Sequence, residues 1–92
     1  MYKANTFVFH CDPGHGWLEV SKEDLQYVGL SPSDFSSYSY RKGNRFFLEE
    51  DCDAGLFLNA YEKESGLSPD FKYVNTDRQH WIRDLPYIKE AA

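Results

Sequence analysis

The residues best suited to chemistry lie in one short stretch near the N-terminus. His10, Cys11, Asp12 and His15 bring two imidazoles, a thiol and a carboxylate within six residues, and Cys52 stands between two aspartates further along the chain. Such groups are the ligands of protein zinc sites, and a thiol beside an imidazole is a nucleophilic pair. One hypothesis is therefore a small metal- or thiol-dependent enzyme centred on these five residues.

The pattern around these residues favours a structural role instead. Adjacent strand residues such as His10 and Cys11 point to opposite faces, and no standard zinc spacing is present. Both cysteines have acidic neighbours, which disfavour a thiolate. Asp12, Gly14 and Gly16 are typical of a tight turn, in which glycine permits positive φ. We predict no catalytic residue, no metal site and no cofactor, hence a protein that is not an enzyme.

The negative charge of the chain is concentrated in one segment. Residues 46–64 carry six acids and one lysine and so account for a charge of −5, the net charge of the whole chain. A helix N-terminus attracts one or two carboxylates, but this segment has more than capping needs. We predict a surface that binds a basic protein partner, formed by Glu49, Glu50, Asp51, Asp53, Glu62 and Glu64. A net negative charge opposes direct binding to nucleic acid.

Several aromatic residues fall in stretches that look exposed. They are Tyr38, Tyr40, Tyr73, Trp81 and Tyr87. Such rings stack on single-stranded nucleic acid when a positively charged groove accompanies them. Because no basic groove is evident here, the sequence favours packing on the sheet over a stacking platform.

The elements that must position these residues follow a repeated order, ββα-ββα-β. Runs of β-forming residues, separated by turn residues, predict strands over 6–10, 17–20, 38–41, 45–50 and 70–76. One helix begins at a capping box, Ser21 with Asp24, and ends at Gly29. A second is capped by Asp51 or Asp53 and ends at Gly66. A single helical turn follows Pro32, and a short last helix begins over 76–81 and breaks before Pro86.

This order predicts one α+β domain over residues 1–92. Hairpins followed by helices pack most simply as an antiparallel sheet of about five strands with both helices on one face. We expect the other face to be open and the chain to end in a short C-terminal helix or tail.

Composition limits the compartment. No apolar run approaches the roughly 18 residues of a membrane span, and the N-terminus lacks the features of a signal peptide. Two cysteines are few for a small secreted domain. We predict a cytoplasmic protein with reduced thiols and no contact with a membrane, and leave a single Cys11–Cys52 bridge open.

Three stretches together resemble a known group of proteins. FHCDPGHGWLEV at 9–20, SYSY at 37–40 and LEEDCDA at 48–54 are similar to a family of small uncharacterised proteins carried by phages, plasmids and proteobacterial genomes. The resemblance implies a mobile-element setting in a bacterial host, where short acidic proteins often inhibit host defence. We therefore expect a non-enzymatic, anti-CRISPR-like inhibitor that occupies a basic surface of a nucleic-acid-handling defence complex, with its oligomeric state left open.

Overall fold

Five strands and two α-helices build the protein in a computed structural model that describes residues 5–77 and 81–88. The start of the predicted last helix falls partly on residues 78–80, which lie outside this description. In chain order the elements are β1 (Thr6–Cys11), β2 (Gly16–Ser21), α1 (Lys22–Val28), a 3₁₀ turn (Pro32–Asp34), β3 (Tyr40–Lys42), β4 (Arg45–Glu49), α2 (Asp53–Ser65), β5 (Asp70–Asn75) and a second 3₁₀ turn (Trp81–Asp84). The predicted α+β class and element order are confirmed.

The sheet is mixed, whereas the sequence predicted an antiparallel one. Its strand order is β3-β4-β2-β1-β5, and β5 pairs parallel to β1 while the other neighbours are antiparallel. The reason is the connection between β4 and β5. Helix α2 has 13 residues and spans about 20 Å, so it carries the chain back along the sheet before β5 begins. Strand β5 therefore runs in the same direction as β4 and β1.

One face of the sheet packs against both helices. Alternate strand residues such as Phe7, Leu18 and Leu48 are buried there against Leu25 of α1 and Phe57 of α2. Helix α1 begins at Ser21, whose side chain accepts from the Asp24 N–H while Asp24 accepts from the Ser21 N–H, so the predicted capping box is present. Gly29 and Gly66 end the helices with positive φ, as their positions predicted.

The opposite face is partly covered, and the expectation of an open face is wrong here. Residues 81–88, which we call the C-terminal strap, cross it. Ile82 is fully buried between Trp17 and Phe47. The strap also pairs with the edge of the sheet, because Tyr40 of β3 forms an antiparallel bridge with Tyr87. No helix within residues 5–77 and 81–88 combines the length and apolar character needed to cross a bilayer.

Candidate binding cleft

A cleft of about 290 Å³ opens on the strap side of the sheet. This volume is at the lower end of the range of small-molecule sites, roughly 300–1,000 Å³. Its lining residues come from the β1–β2 turn, β2, the loop before β3, β3, the end of β4, the approach to α2 and the strap. They are His15, Trp17, Tyr38, Tyr40, Glu49, Asp51, Cys52, Arg83 and Tyr87.

Asp12 holds the turn beside the cleft. Its Oδ1 accepts the backbone N–H groups of Gly14 at 3.0 Å and His15 at 2.9 Å, as expected for an aspartate that bonds its own turn. Neither turn glycine has positive φ, so that expectation is wrong. Gly16 serves close packing instead, because a Cβ there would lie 2.6 Å from the Phe9 ring.

Arg83 ties the strap to this turn. Its Nε and Nη2 donate to the two Asp12 oxygens at 2.7 and 2.8 Å, which makes a bidentate ion pair. The Asp12 side chain is fully buried, and its hydrogen bond is the main reason that the pKa of Arg83 is raised. Sequence reasoning missed this pair. The sequence does contain an indication of it. Arg83 lies among the apolar residues Trp81, Ile82 and Leu85, and an arginine in a segment that packs on the core needs an acidic partner.

His15 is not arranged as a base for a thiol. Its ring stacks on Trp17, with 6.0 Å between the ring centroids. Arg83 Nη2 lies 3.0 Å from His15 Nδ1. Arginine can only donate, so Nδ1 accepts and the ring proton resides on Nε2. With the proton on Nε2, the only lone pair of the ring is on Nδ1 and is taken by Arg83, so His15 has none to offer Cys52.

The remaining members of the predicted cluster do not converge. His10 points to the strap face, where its Nε2 lies 2.7 Å from Glu19 Oε1, and Glu19 also accepts from Arg45 at 2.8 Å. His10 therefore belongs to a separate polar group. Among residues 5–77 and 81–88, no three His, Cys, Asp or Glu side chains are placed to hold a metal ion.

Both cysteines are free thiols. The pKa of Cys11 is raised by desolvation and then by the charges of Glu50 and Asp12. Cys52 lines the cleft, and its pKa is raised by desolvation, by a hydrogen bond to Glu49 and by the neighbouring carboxylates. Raised pKa values keep both groups protonated near pH 7, so the cleft does not activate a thiolate.

Aromatic rings form much of the cleft wall. Tyr40 and Tyr87 stack with centroids 4.8 Å apart, and Trp17 meets Tyr40 edge-on at 6.2 Å. Burial and a hydrogen bond with Tyr87 raise the pKa of Tyr40 to about 12, so this phenol stays neutral at physiological pH. Tyr38 is 64 % exposed at the rim. Tyr73 lies on β5 at the far edge of the sheet, so the five flagged aromatics do not form one platform.

The six predicted partner-binding acids play different roles. Glu49 is only 7 % exposed, and its Oε1 accepts the N–H groups of Asp51 and Cys52, both at 3.1 Å. Asp53 is 4 % exposed and accepts from Ser36 and Ser39, so it fixes the loop before β3. Neither Asp51 nor Asp53 caps α2, because Cys52 occupies the N-cap position without a side-chain bond. The capping prediction is wrong.

The other four acids are exposed but do not form one patch. Glu50 and Asp51 precede α2, beside the cleft, whereas Glu62 and Glu64 lie in its last turns. The helix separates the two pairs by more than 15 Å, as estimated from about 1.5 Å of rise per residue. That distance exceeds the Debye length of about 8 Å at physiological ionic strength, so the pairs act as separate charges.

Comparisons with protein-family models, with curated proteins and with solved structures find no match to this chain.

Proposed function

We propose that this protein is a non-enzymatic binding protein whose cleft receives a cationic side chain, Arg or Lys, from a basic protein surface. Glu49 and Asp51 supply negative charge, and the cleft is also lined by Tyr38, Tyr40 and Tyr87, whose aromatic rings attract cations. The partner we propose is a nucleic-acid-handling host defence complex, in keeping with the resemblance to phage and plasmid proteins.

The observation that carries the proposal is the Glu49 carboxylate. It lines an aromatic cleft while mostly buried, and none of the ion pairs formed within residues 5–77 and 81–88 includes it. The cation in the cleft, Arg83, is already neutralised by Asp12. The lining is thus net negative, and a carboxylate in a partly dry site gains more from a cation than one in water.

A thiol-dependent enzyme is the weaker alternative. His15 and Cys52 do share the cleft, but the raised thiol pKa of Cys52 and the contact of His15 Nδ1 with Arg83 both oppose nucleophilic chemistry. A Cys52→Ser variant that keeps full binding and biological effect would agree with the binding proposal.

The test uses a fluorescein-labelled nona-arginine peptide and fluorescence polarisation. The probe variant is Glu50→Lys/Asp51→Lys, which reverses two exposed acids beside the cleft. The control variant is Glu62→Lys/Glu64→Lys, which makes the same change in net charge at the other end of α2. Glu49 and Asp53 are left intact because both are held by internal hydrogen bonds.

We expect the probe variant to weaken binding at least tenfold and the control variant by less than threefold. Binding by the wild type should weaken as salt rises, since exposed charges are screened. Equal losses in the two variants would show general charge attraction and overturn the cleft as the site. Unchanged binding in both would overturn the proposal altogether.

The defence complex is tested separately. Purified Cas effector complexes from proteobacterial hosts are titrated with the protein, and inhibition of DNA binding is measured. We expect inhibition at a one-to-one ratio that the probe variant loses and the control variant keeps. Peptide binding without any such inhibition would retain the cleft and reject this partner.

A further inference from the structure

The two edge strands of the sheet differ in whether another segment of the chain pairs with their outer side. At one end β3 is bridged by Tyr87 of the strap. At the other end β5 pairs with β1 on one side, and none of the residues in 5–77 and 81–88 pairs with its outer side. Five of its six residues are exposed, including Tyr73 at 61 %. An exposed edge strand of this length is a template for pairing with another chain.

The hydrogen-bond pattern shows which residues face outwards. The N–H groups of Asp70 and Thr76 donate to β1 and the residue before it. In a parallel ladder alternate residues bond to the neighbouring strand. The even-numbered residues of β5 therefore face β1, and Phe71, Tyr73 and Asn75 present their backbone groups to the open side.

The charges on β5 select the partner. Lys72 stands in the middle of the strand. A lysine there normally prevents edge pairing, because its charge would have no acidic partner on the added strand. Asp70 lies two residues away on the same face and is also exposed. An antiparallel pair of two β5 strands centred on Phe71 sets Asp70 of each copy opposite Lys72 of the other.

Other two-fold registers lack this match. Centring on Lys72 would oppose two lysines, and centring on Tyr73 would set Lys72 against Val74. In the Phe71-centred register the outward N–H and C=O groups of the two Phe71 residues face each other, and each Tyr73 N–H faces the carbonyl of Pro69, which has no N–H of its own to donate. The Asp–Lys pairs of this register occupy the non-hydrogen-bonded positions, where opposing side chains are closest.

We propose that the protein forms a two-fold dimer by antiparallel pairing of β5 with β5 of a second copy. The result is one sheet of about ten strands, which is within the usual size of twisted sheets. The Phe71 rings of the two copies would meet on the helix face and extend the row formed by Phe9, Phe71 and Tyr73. No residue of β5 lines the cleft, so the pairing leaves the cleft free in each copy.

Sedimentation equilibrium over a range of protein concentrations tests this dimer with variants in which the charges of Asp70 and Lys72 are reversed singly or exchanged. We expect the wild type to dimerise, and Lys72→Asp or Asp70→Lys to raise the dissociation constant at least tenfold, because each sets like charges opposite twice. The double variant Asp70→Lys/Lys72→Asp should recover the dimer. Lys63→Asp on α2 makes the same charge change as Lys72→Asp away from the edge and should have no effect. Circular dichroism verifies that each variant is folded.

Amide hydrogen exchange supplies a second readout. The N–H groups of Phe71 and Tyr73 should be protected in the dimer and exchange faster in the Lys72→Asp monomer. A wild type that stays monomeric would overturn the proposal, as would a dimer that neither single reversal weakens or a double variant that stays monomeric. Peptide binding at the cleft is unaffected by these outcomes, so failure of the dimer is distinguishable from failure of the proposed function.

Discussion

The two faces of the sheet are held together by different physics. On the helix face, buried apolar side chains from every central strand meet α1 and α2, and the stabilisation is non-directional and proportional to buried area. On the strap face, a small aromatic cluster is surrounded by directed polar pairs, Asp12 with Arg83 and Glu19 with His10 and Arg45. The first face is stabilised by the burial of apolar area, and the second, which also contains the cleft, is stabilised in large part by pairs of charged groups.

The largest effect is expected on the helix face. Phe57 is fully buried and packs edge-on against Phe7 at 5.4 Å. Phe57→Ala should lower the free energy of unfolding by about 3–5 kcal/mol, because it leaves a cavity as well as losing buried area. Urea denaturation measures this loss. The neighbouring Leu56 is 40 % exposed, and Leu56→Ala should cost less than about 1 kcal/mol. Similar losses in the two variants would contradict the assignment of the core.

A smaller loss of stability is expected when the ion pair between the strap and Asp12 is removed. Arg83→Ala leaves the buried Asp12 carboxylate without its cation, which should cost about 3 kcal/mol. Arg83→Lys keeps the charge but not the bidentate geometry and should cost less. Because Arg83 lies over Trp17 at 5.5 Å, Trp fluorescence should change with the loss of Arg83. Arg83→Ala with wild-type stability would show that the remaining strap contacts, Ile82 and the Tyr40–Tyr87 bridge among them, hold the strap without the ion pair.

The smallest effect concerns Glu19 and depends on pH. Its pKa is lowered below the ordinary 4.5, first by the hydrogen bond from His10 and then by Arg45. A lowered folded pKa contributes stability above the unfolded pKa and loses it as the pH falls through the folded value. Glu19→Gln should therefore cost about 1 kcal/mol at pH 7.

The difference from wild type should shrink as the pH falls from about 4.5 towards 2. Thermal unfolding across this range measures it, with the exposed Glu64→Gln as the control that shows no such trend. A difference in stability between wild type and Glu19→Gln that stays constant down to pH 2 would show that the Glu19 charge does not stabilise the strap face.

Local sequence determined the elements and their ends. The capping box of Ser21 and Asp24 and the helix stops at Gly29 and Gly66 join residues at most four positions apart, so backbone geometry alone specifies them. The runs of β-forming residues likewise predicted the strands β2 and β4 themselves. The turn role of Asp12 was equally readable, because its backbone partners follow it within three residues.

Tertiary structure decided what the polar groups do. Arg83 reaches Asp12 across 71 positions, and Asp53 reaches Ser36 across 17. A carboxylate at a strand-to-helix junction can cap the helix, pair with a cation or face solvent, and its sequence neighbours are compatible with all three. Only the packing of the strap and of the loop before β3 separated the buried Glu49 and Asp53 from the exposed Glu50 and Asp51. The direction of β5 was also decided by tertiary structure. Strand β5 is parallel to β1 because of the path that α2 takes across the sheet, and no residue within β5 specifies that direction.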